Sequence, residues 1–303
     1  DYLGGVQDIP ALAAVCRAQG VPLLVDNAHG AYLRFLPQNC HPIAQGAAMC
    51  CDSAHKTLPV VTGGAYLHLA HDAPVQDEAA VRGALALFGS TSPSYLILQS
   101  LDACNAVLAG DYPRRLVQCC AALEGLRRSL NKAAAARQCP VPLAVAGAQQ
   151  EPMKLTLDAA ALGCTGTALA DALRRAQLEC EYADPRYVVL MFTPENPPQD
   201  YTRLQTALEQ LLAAVPAGLP RPENRAGEFA ALQQQAVQRC TIRQAVLGAQ
   251  VRVPVHKALG RVCAMPTVSC PPAIPVAVSG EEITPAAIAL MQRYGIEELS
   301  VLR

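Results

Sequence analysis

Two short apolar runs, each ending in aspartate, restrict what this chain can fold into more than any other feature. VPLLVD (residues 21–26) and AAMCCD (residues 47–52) carry no polar side chain before their last position. That is the pattern of strands buried on both faces, as in a parallel sheet. DIPALAAVCRAQG (residues 8–20) precedes the first run. It reads as a helix capped by Asp8, with Ile9-Pro10 at its start and Gly20 as its stop. GGAYLHLA (residues 63–70) adds a third run, with alternation. A helix followed by strand, loop, strand and strand predicts an α/β fold: a mostly parallel sheet with helices and at least one crossover.

The same patterns organise the rest of the chain. Residues 76–88 read as a helix, and FGSTSPSYL (88–96) as a loop capping another through ILQSLDACNAVLAG. A long amphipathic helix is expected over residues 113–137. KLTL (154–157), TALADALRRAQL (167–178) and RYVVLMFT (186–193) suggest a βαβ-like smaller unit closed by YTRLQTALEQLLAAV (201–215). Residues 216–225 look like a linker, and 226–239 like a helix. The Pro-rich stretch after residue 269 is expected to cross or cover rather than lie inside a strand. The expected division is a large domain over residues 1–137, a small α+β domain over 138–218, and a C-terminal tail domain over 219–303.

Composition excludes several classes of function. A net charge of −1 gives no general attraction to nucleic acid or to an anionic membrane. The absence of Trp and the sparse aromatics argue against a base-stacking platform. The 13 cysteines form no C-x-x-C pair, which removes the usual zinc-ribbon and thioredoxin spacings. Their odd number and scatter suit reduced thiols in a cytoplasmic protein, most of them small core residues. No apolar run reaches transmembrane length and no signal peptide is visible. The chain opens on DYLGG as though in mid-domain, so an N-terminal part is expected to be missing.

Chemistry concentrates after the two aspartate-ended runs. In open α/β sheets, ligands bind outside the carboxyl ends of the strands. Asp26 ends one run and is followed by Ala28 and His29; Asp52 ends the other and is followed by Ser53, His55 and Lys56. Alone, Asp26 could be a turn or N-cap residue, His29 a structural histidine, and DSAHK a solvated loop. Together, an acid and a lysine at one sheet edge point to imine chemistry. A desolvated lysine becomes a nucleophile for aldehydes. Pyridoxal 5'-phosphate is the commonest partner of such a lysine and needs an acid on its ring nitrogen.

VDNAHGAYLRF followed by CDSAHKTLPVVTGGAYLH resembles the large domain of the Orn/Lys/Arg decarboxylase family, fold-type I enzymes dependent on pyridoxal phosphate. FGSTSPSYLILQSLD, EPMKLTL and CPPAIPVAVSGEEI resemble that family in the same order, so the likeness runs along nearly the whole chain. The resemblance implies decarboxylation of a basic amino acid (arginine, lysine or ornithine) towards polyamines, in a cytoplasmic homodimer or higher oligomer. It implies that Lys56 binds the cofactor aldehyde, that Asp26 pairs with the ring nitrogen, and that Ala28 packs on the ring. It further implies that His29 lies near the ring hydroxyl and that Ser53 and His55 hold the phosphate. Ser90, Thr91 and Ser92 would reach the phosphate in a partner subunit's site.

Three departures stand out: the absent N-terminal portion, Asn27 and Tyr32 where many members carry an acid and a His, and a short closing segment ending at Arg303. They leave open a truncated or inactive paralogue acting as a dimer partner, or another fold-type I activity such as an acyltransferase or lyase. The Pro-Pro-x-Ile-Pro stretch favours the decarboxylase. Asp52 is expected on the phosphate side of the site with Ser53 and His55. Glu151 and Lys154 are expected to be solvated charges, and Arg186 a turn residue after Asp184-Pro185.

Overall fold

The computed structural model describes residues 1–90, 92–147, 149–216, 218, 232, 234–269 and 274–303. The chain is mixed α/β. Helix α1 (Ile9–Ala18) starts where Asp8 accepts the Ala11 N–H, and stops before Gly20, whose φ of +65° suits glycine. It leads into β1 (Leu24–Asp26), then β2 (Met49–Asp52), the short helix α2 (Ala54–Thr57) and β3 (Tyr66–Leu69). These strands form a sheet in the order β1-β2-β3. β1 runs parallel to β2 with Asp26 opposite Cys51, and β3 runs antiparallel to β2 with His68 opposite Cys50.

Burial of β1 on both faces is not found. Only half of VPLLVD is strand, and Leu24 is 60% exposed. β1 is an edge strand, and nothing among the described residues covers its outer side. Its apolar sequence therefore asks for more cover than those residues provide.

Helices α3 (Glu78–Phe88), α4 (Tyr95–Ala109) and α5 (Tyr112–Ala136) follow. Asp77 and Ser94 cap the first two through side-chain acceptors. The buried face of α5 includes Leu116, Leu123, Leu126 and Leu130, a helical spacing that packs against α7 (Pro198–Ala214) through Leu204, Leu208 and Leu212. Between them lie β4 (Lys154–Asp158), α6 (Gly166–Arg175), β5 (Tyr182–Ala183) and β6 (Tyr187–Met191). Their sheet has the order β4-β6-β5 and is antiparallel throughout, so the expected βαβ-like unit is corrected. Gly166 allows α6 to start against the β5–β6 turn, where a Cβ would meet the carbonyls of Asp184 and Tyr187.

One apolar cluster runs from Ala31 to Leu212 and joins α5, α7, β4 and β6 to the residues beneath α2. A second runs from Leu232 to Val301. It is built on α8 (Ile242–Leu247), β7 (Gln250–Pro254), β8 (Thr267–Ser269), β9 (Ile274–Ala277), α9 (Pro285–Arg293) and β10 (Glu298–Leu302). The Pro-rich stretch does form strand: Pro275 pairs in β9 beside a register shift in β8, a place where the missing N–H is tolerated. Most of the expected linker and half of the 226–239 helix lie outside the described residues; of that helix's described end, Gln238 is in a β-bridge with Glu281 instead.

Candidate active site

The parallel pairing of β1 and β2 brings Asp26 and Lys56 to one sheet edge. Asn27 N–H continues the ladder onto the Cys51 carbonyl at 2.9 Å, so the chain leaves both strands at matching ends. A turn then closes as Gly30 N–H reaches the Asn27 carbonyl at 2.8 Å. After β2 the chain enters α2, which carries Lys56 back over that turn. The result is a cleft of about 390 Å³ lined by Asp26, Ala28, His29 and Lys56, with Tyr2 and Glu151.

Lys56 Nζ lies 3.2 Å from His29 Nε2 and 5.7 Å from the centre of the Tyr2 ring. Among the described residues no carboxylate pairs with it. Burial pushes the His29 imidazole down to about 3, helped by the positive charges of Lys154 and Lys56. His29 is therefore neutral at physiological pH. Nε2 accepts from the Lys56 ammonium, the ring proton sits on Nδ1, and that buried Nδ1 has no hydrogen-bond partner. One oxygen of Asp26 accepts the Ala28 N–H at 3.1 Å, and the other carries no hydrogen bond among the described residues.

Other expected site residues lie elsewhere. Ser53 stands at the N-cap of α2, but its hydroxyl makes no capping bond. His55 Nδ1 is tied to the Gly64 carbonyl at 2.9 Å. Neither lines the cleft. Ser90 Oγ accepts the Ser92 N–H at 3.1 Å, and both residues are exposed on the loop before α4. Thr91 lies outside the described residues.

Asp52 does not share the cleft with Lys56, which corrects the expectation for it. Side chains alternate along a strand. Asp26 is registered with Cys51, so Asp52 and Cys50 project to the other face of the sheet. There Asp52, 3% exposed, holds His41 Nε2 at 3.0 Å and His68 Nε2 at 2.9 Å. It also accepts from Asn27 Nδ2 at 2.8 Å. Burial alone would raise its pKa. The hydrogen bonds from His41, His68 and Asn27 outweigh that and hold its carboxyl well below the usual carboxylate range. It lines a second cavity of about 570 Å³.

The expectation of solvated charges at Glu151 and Lys154 is also overturned. Their exposures are 5% and 1%, and Lys154 Nζ lies 3.1 Å from Glu151 Oε2. Lys154 also donates to the Asp1 carbonyl at 2.8 Å. This pair forms the wall behind Tyr2. Its signal in the sequence is the spacing of Glu and Lys three apart in the apolar string EPMKLTL. Arg186 does follow an Asx turn, in which Asp184 accepts its N–H at 2.7 Å. Its guanidinium is committed to Asp158 by contacts of 2.7 and 3.1 Å.

A lysine and a carboxylate from neighbouring strand ends of an α/β sheet thus face one cleft. Residues 1–149 match the family described as Orn/Lys/Arg decarboxylase, major domain. By this match the first 149 residues of the chain are similar to the Orn/Lys/Arg decarboxylase family. Protein YaaO of Bacillus subtilis is 29% identical over 301 residues, 96% of this chain and 60% of that protein. An arginine decarboxylase of Bacillus subtilis is 27% identical over 93% of this chain and 58% of its own length. The chain thus spans about three fifths of the length of the curated relatives it matches. In fold it is similar to the constitutive lysine decarboxylase of E. coli, with TM-score 0.71 and 16% identity over 100% of this chain and 57% of that one. A NifS-like protein of Rickettsia africae aligns with TM-score 0.53 and 14% identity over 70% of this chain and 59% of that one. Among the described residues, no helix is long and apolar enough to cross a membrane.

Proposed function

We propose that this chain carries the lysine-bearing half of a pyridoxal phosphate site that decarboxylates a basic amino acid. The observation that carries the proposal is the convergence of Lys56, His29 and Asp26 on one cleft at the ends of two parallel strands.

The residues fit the cofactor. Lys56 offers an amine with no acid partner among the described residues. Asp26 offers an oxygen without a hydrogen bond, suited to a ring nitrogen. The unpartnered His29 Nδ1–H is a buried donor in need of an oxygen, as a ring hydroxyl would provide. Ala28 is small enough for a flat ring to lie against the turn. Ser53 and His55 precede Lys56 without lining the cleft, and the resemblance alone assigns them the phosphate, with Ser90, Thr91 and Ser92 serving a partner subunit's site.

When bound, pyridoxal phosphate supplies an electron sink for the pair released at the substrate Cα. The chain's own residues do the rest. Lys56 would hold the cofactor's aldehyde, and its Nζ would carry the proton that replaces the departing CO2 at the substrate Cα. His29 accepts from Lys56 without adding a charge to the cleft. Asp26 would hold the cofactor's ring nitrogen and favour its protonated form. Walls of low polarity strip water from the substrate carboxylate.

Cytoplasmic location and a homodimer belong to the same proposal. No residue of α3 is buried, and Phe88 is 92% exposed beside Leu87, with Tyr95 and Leu96 also exposed. This face leads directly into the Ser90–Ser92 loop assigned to the partner's site, which supports a second copy as its cover.

The proposal is tested by release of labelled CO2 from carboxyl-labelled arginine, lysine and ornithine with the cofactor-loaded protein. Turnover of one of them, reduced by about a thousandfold or more in Lys56→Ala, is the expected result. Equal turnover in the variant would sink the assignment.

A further inference from the structure

The Asp52 cluster lies on the opposite face of the sheet from the proposed cofactor cleft. We infer that Asp52, clamped by His41 and His68, is a positioning residue that sets Asp26 and His29 through Asn27. The inference rests on the site proposed above.

Three observations connect the two faces. First, Asn27 directly follows Asp26, so its side chain falls on the Asp52 face, where Nδ2 donates to Asp52 Oδ1 at 2.8 Å. Second, its backbone stays with the cleft: its N–H bonds to the Cys51 carbonyl, and its own carbonyl accepts the Gly30 N–H. Asn27 therefore pins the turn that aims Asp26 and His29. Third, a Cβ at Gly30 would collide with the Asn27 side chain, so the turn is closed tightly over the amide.

The far side is equally constrained. His41 and His68 both donate to Asp52 Oδ2, and Cys50 Sγ lies 3.5 Å from Oδ1. The carboxylate thus has a donor for each oxygen and a fixed orientation, and it is buried with His41.

The same atoms lie within 4.8 Å of one another, close enough for a metal ion. The tautomer argues otherwise. His41 Nδ1 accepts the Ile43 N–H at 3.3 Å, which leaves the ring proton on Nε2, the atom a metal would need bare. Ligating histidines instead donate their second nitrogen to an acceptor. The cluster is built to donate hydrogen bonds to Asp52, and Asp52 is built to hold Asn27.

The experiment uses the protein loaded with pyridoxal phosphate, in wild-type form and as Asn27→Ala and Asp52→Asn. Two quantities are read: kcat on the preferred substrate, and the pH midpoint of the visible band of the lysine-bound cofactor. Loosening the turn moves Asp26 off the ring nitrogen. A positive ring nitrogen depresses the midpoint, so its loss raises it. The expected result is a midpoint higher by about one unit or more, with kcat lower by about 10- to 100-fold. Lys56 remains the residue labelled by borohydride. Asn27→Ala removes no buried charge, so it remains informative if Asp52→Asn fails to fold.

An unchanged midpoint and kcat in Asn27→Ala, with Lys56 labelled in the wild type, would overturn the positioning role alone. A wild type that takes no label on Lys56 would overturn the site and this inference together. One equivalent of zinc bound by the wild type and lost in His68→Ala would overturn it in favour of a metal centre.

Discussion

At the scale of single residues, the site turns on where two protons sit. Burial, helped by the positive charges of Lys154 and Lys56, keeps the His29 imidazole neutral down to about 3. In the unfolded chain it would take up a proton near 6.5. A base whose folded value is depressed stabilises the fold above its unfolded value, and that share is lost as pH falls towards the folded one. Stability should therefore decline as pH falls from 6.5 towards 3. Asp52 adds its own acid loss only below its ordinary 3.8. Urea unfolding at pH 7 and pH 5 separates the two: His29→Gln should lose less stability than wild type between those values. Equal losses would remove His29 as the source. Lys56, Asp26 and His29 were legible as a group because each ends or follows an aspartate-ended run. Asn27 was legible only as an oddity. Its role as a donor to Asp52 depends on which face of the sheet each side chain takes, and register supplies that information where composition cannot.

At the scale of elements, capping and periodicity carried most of the fold. Asp8, Asp77, Ser94 and Thr165 each cap the helix that the sequence pattern marks. Strand direction was less legible. KLTL and RYVVLMFT read equally well as parallel or antiparallel, and only the pairing of Lys154 with Met191 settles it. Burial of charge was the larger miss. Lys and Glu are usually solvated, and the spacing of Glu151 and Lys154 in EPMKLTL allows a pair without saying that it lies buried beside Tyr2. Lys154→Met should destabilise the protein by about 3–5 kcal/mol, because Glu151 is left as an unpaired buried carboxylate. Adding Glu151→Gln should recover most of that loss, since the isolated charge is then gone. Urea titrations of the two variants decide it: a double variant no better than the single would mean that packing, not charge, holds this joint.

At the scale of the whole molecule, the two apolar clusters divide the work. The first holds the strands and helices that place Lys56, and the second holds the C-terminal ribbons. The apolar runs told where a core was needed, but not what covers β1 or α3. If α3 and the loop after it meet a second copy, Phe88→Asp should shift the sedimentation coefficient from dimer to monomer. An unshifted dimer would place the interface elsewhere. The most direct test of the central claim is chemical. The protein is incubated with pyridoxal phosphate, reduced with borohydride, digested and mapped by mass spectrometry. One pyridoxyl group per chain is expected, on the peptide carrying Lys56 and absent from Lys56→Ala. Label on Lys154, or spread over surface lysines with Lys56 bare, would contradict it.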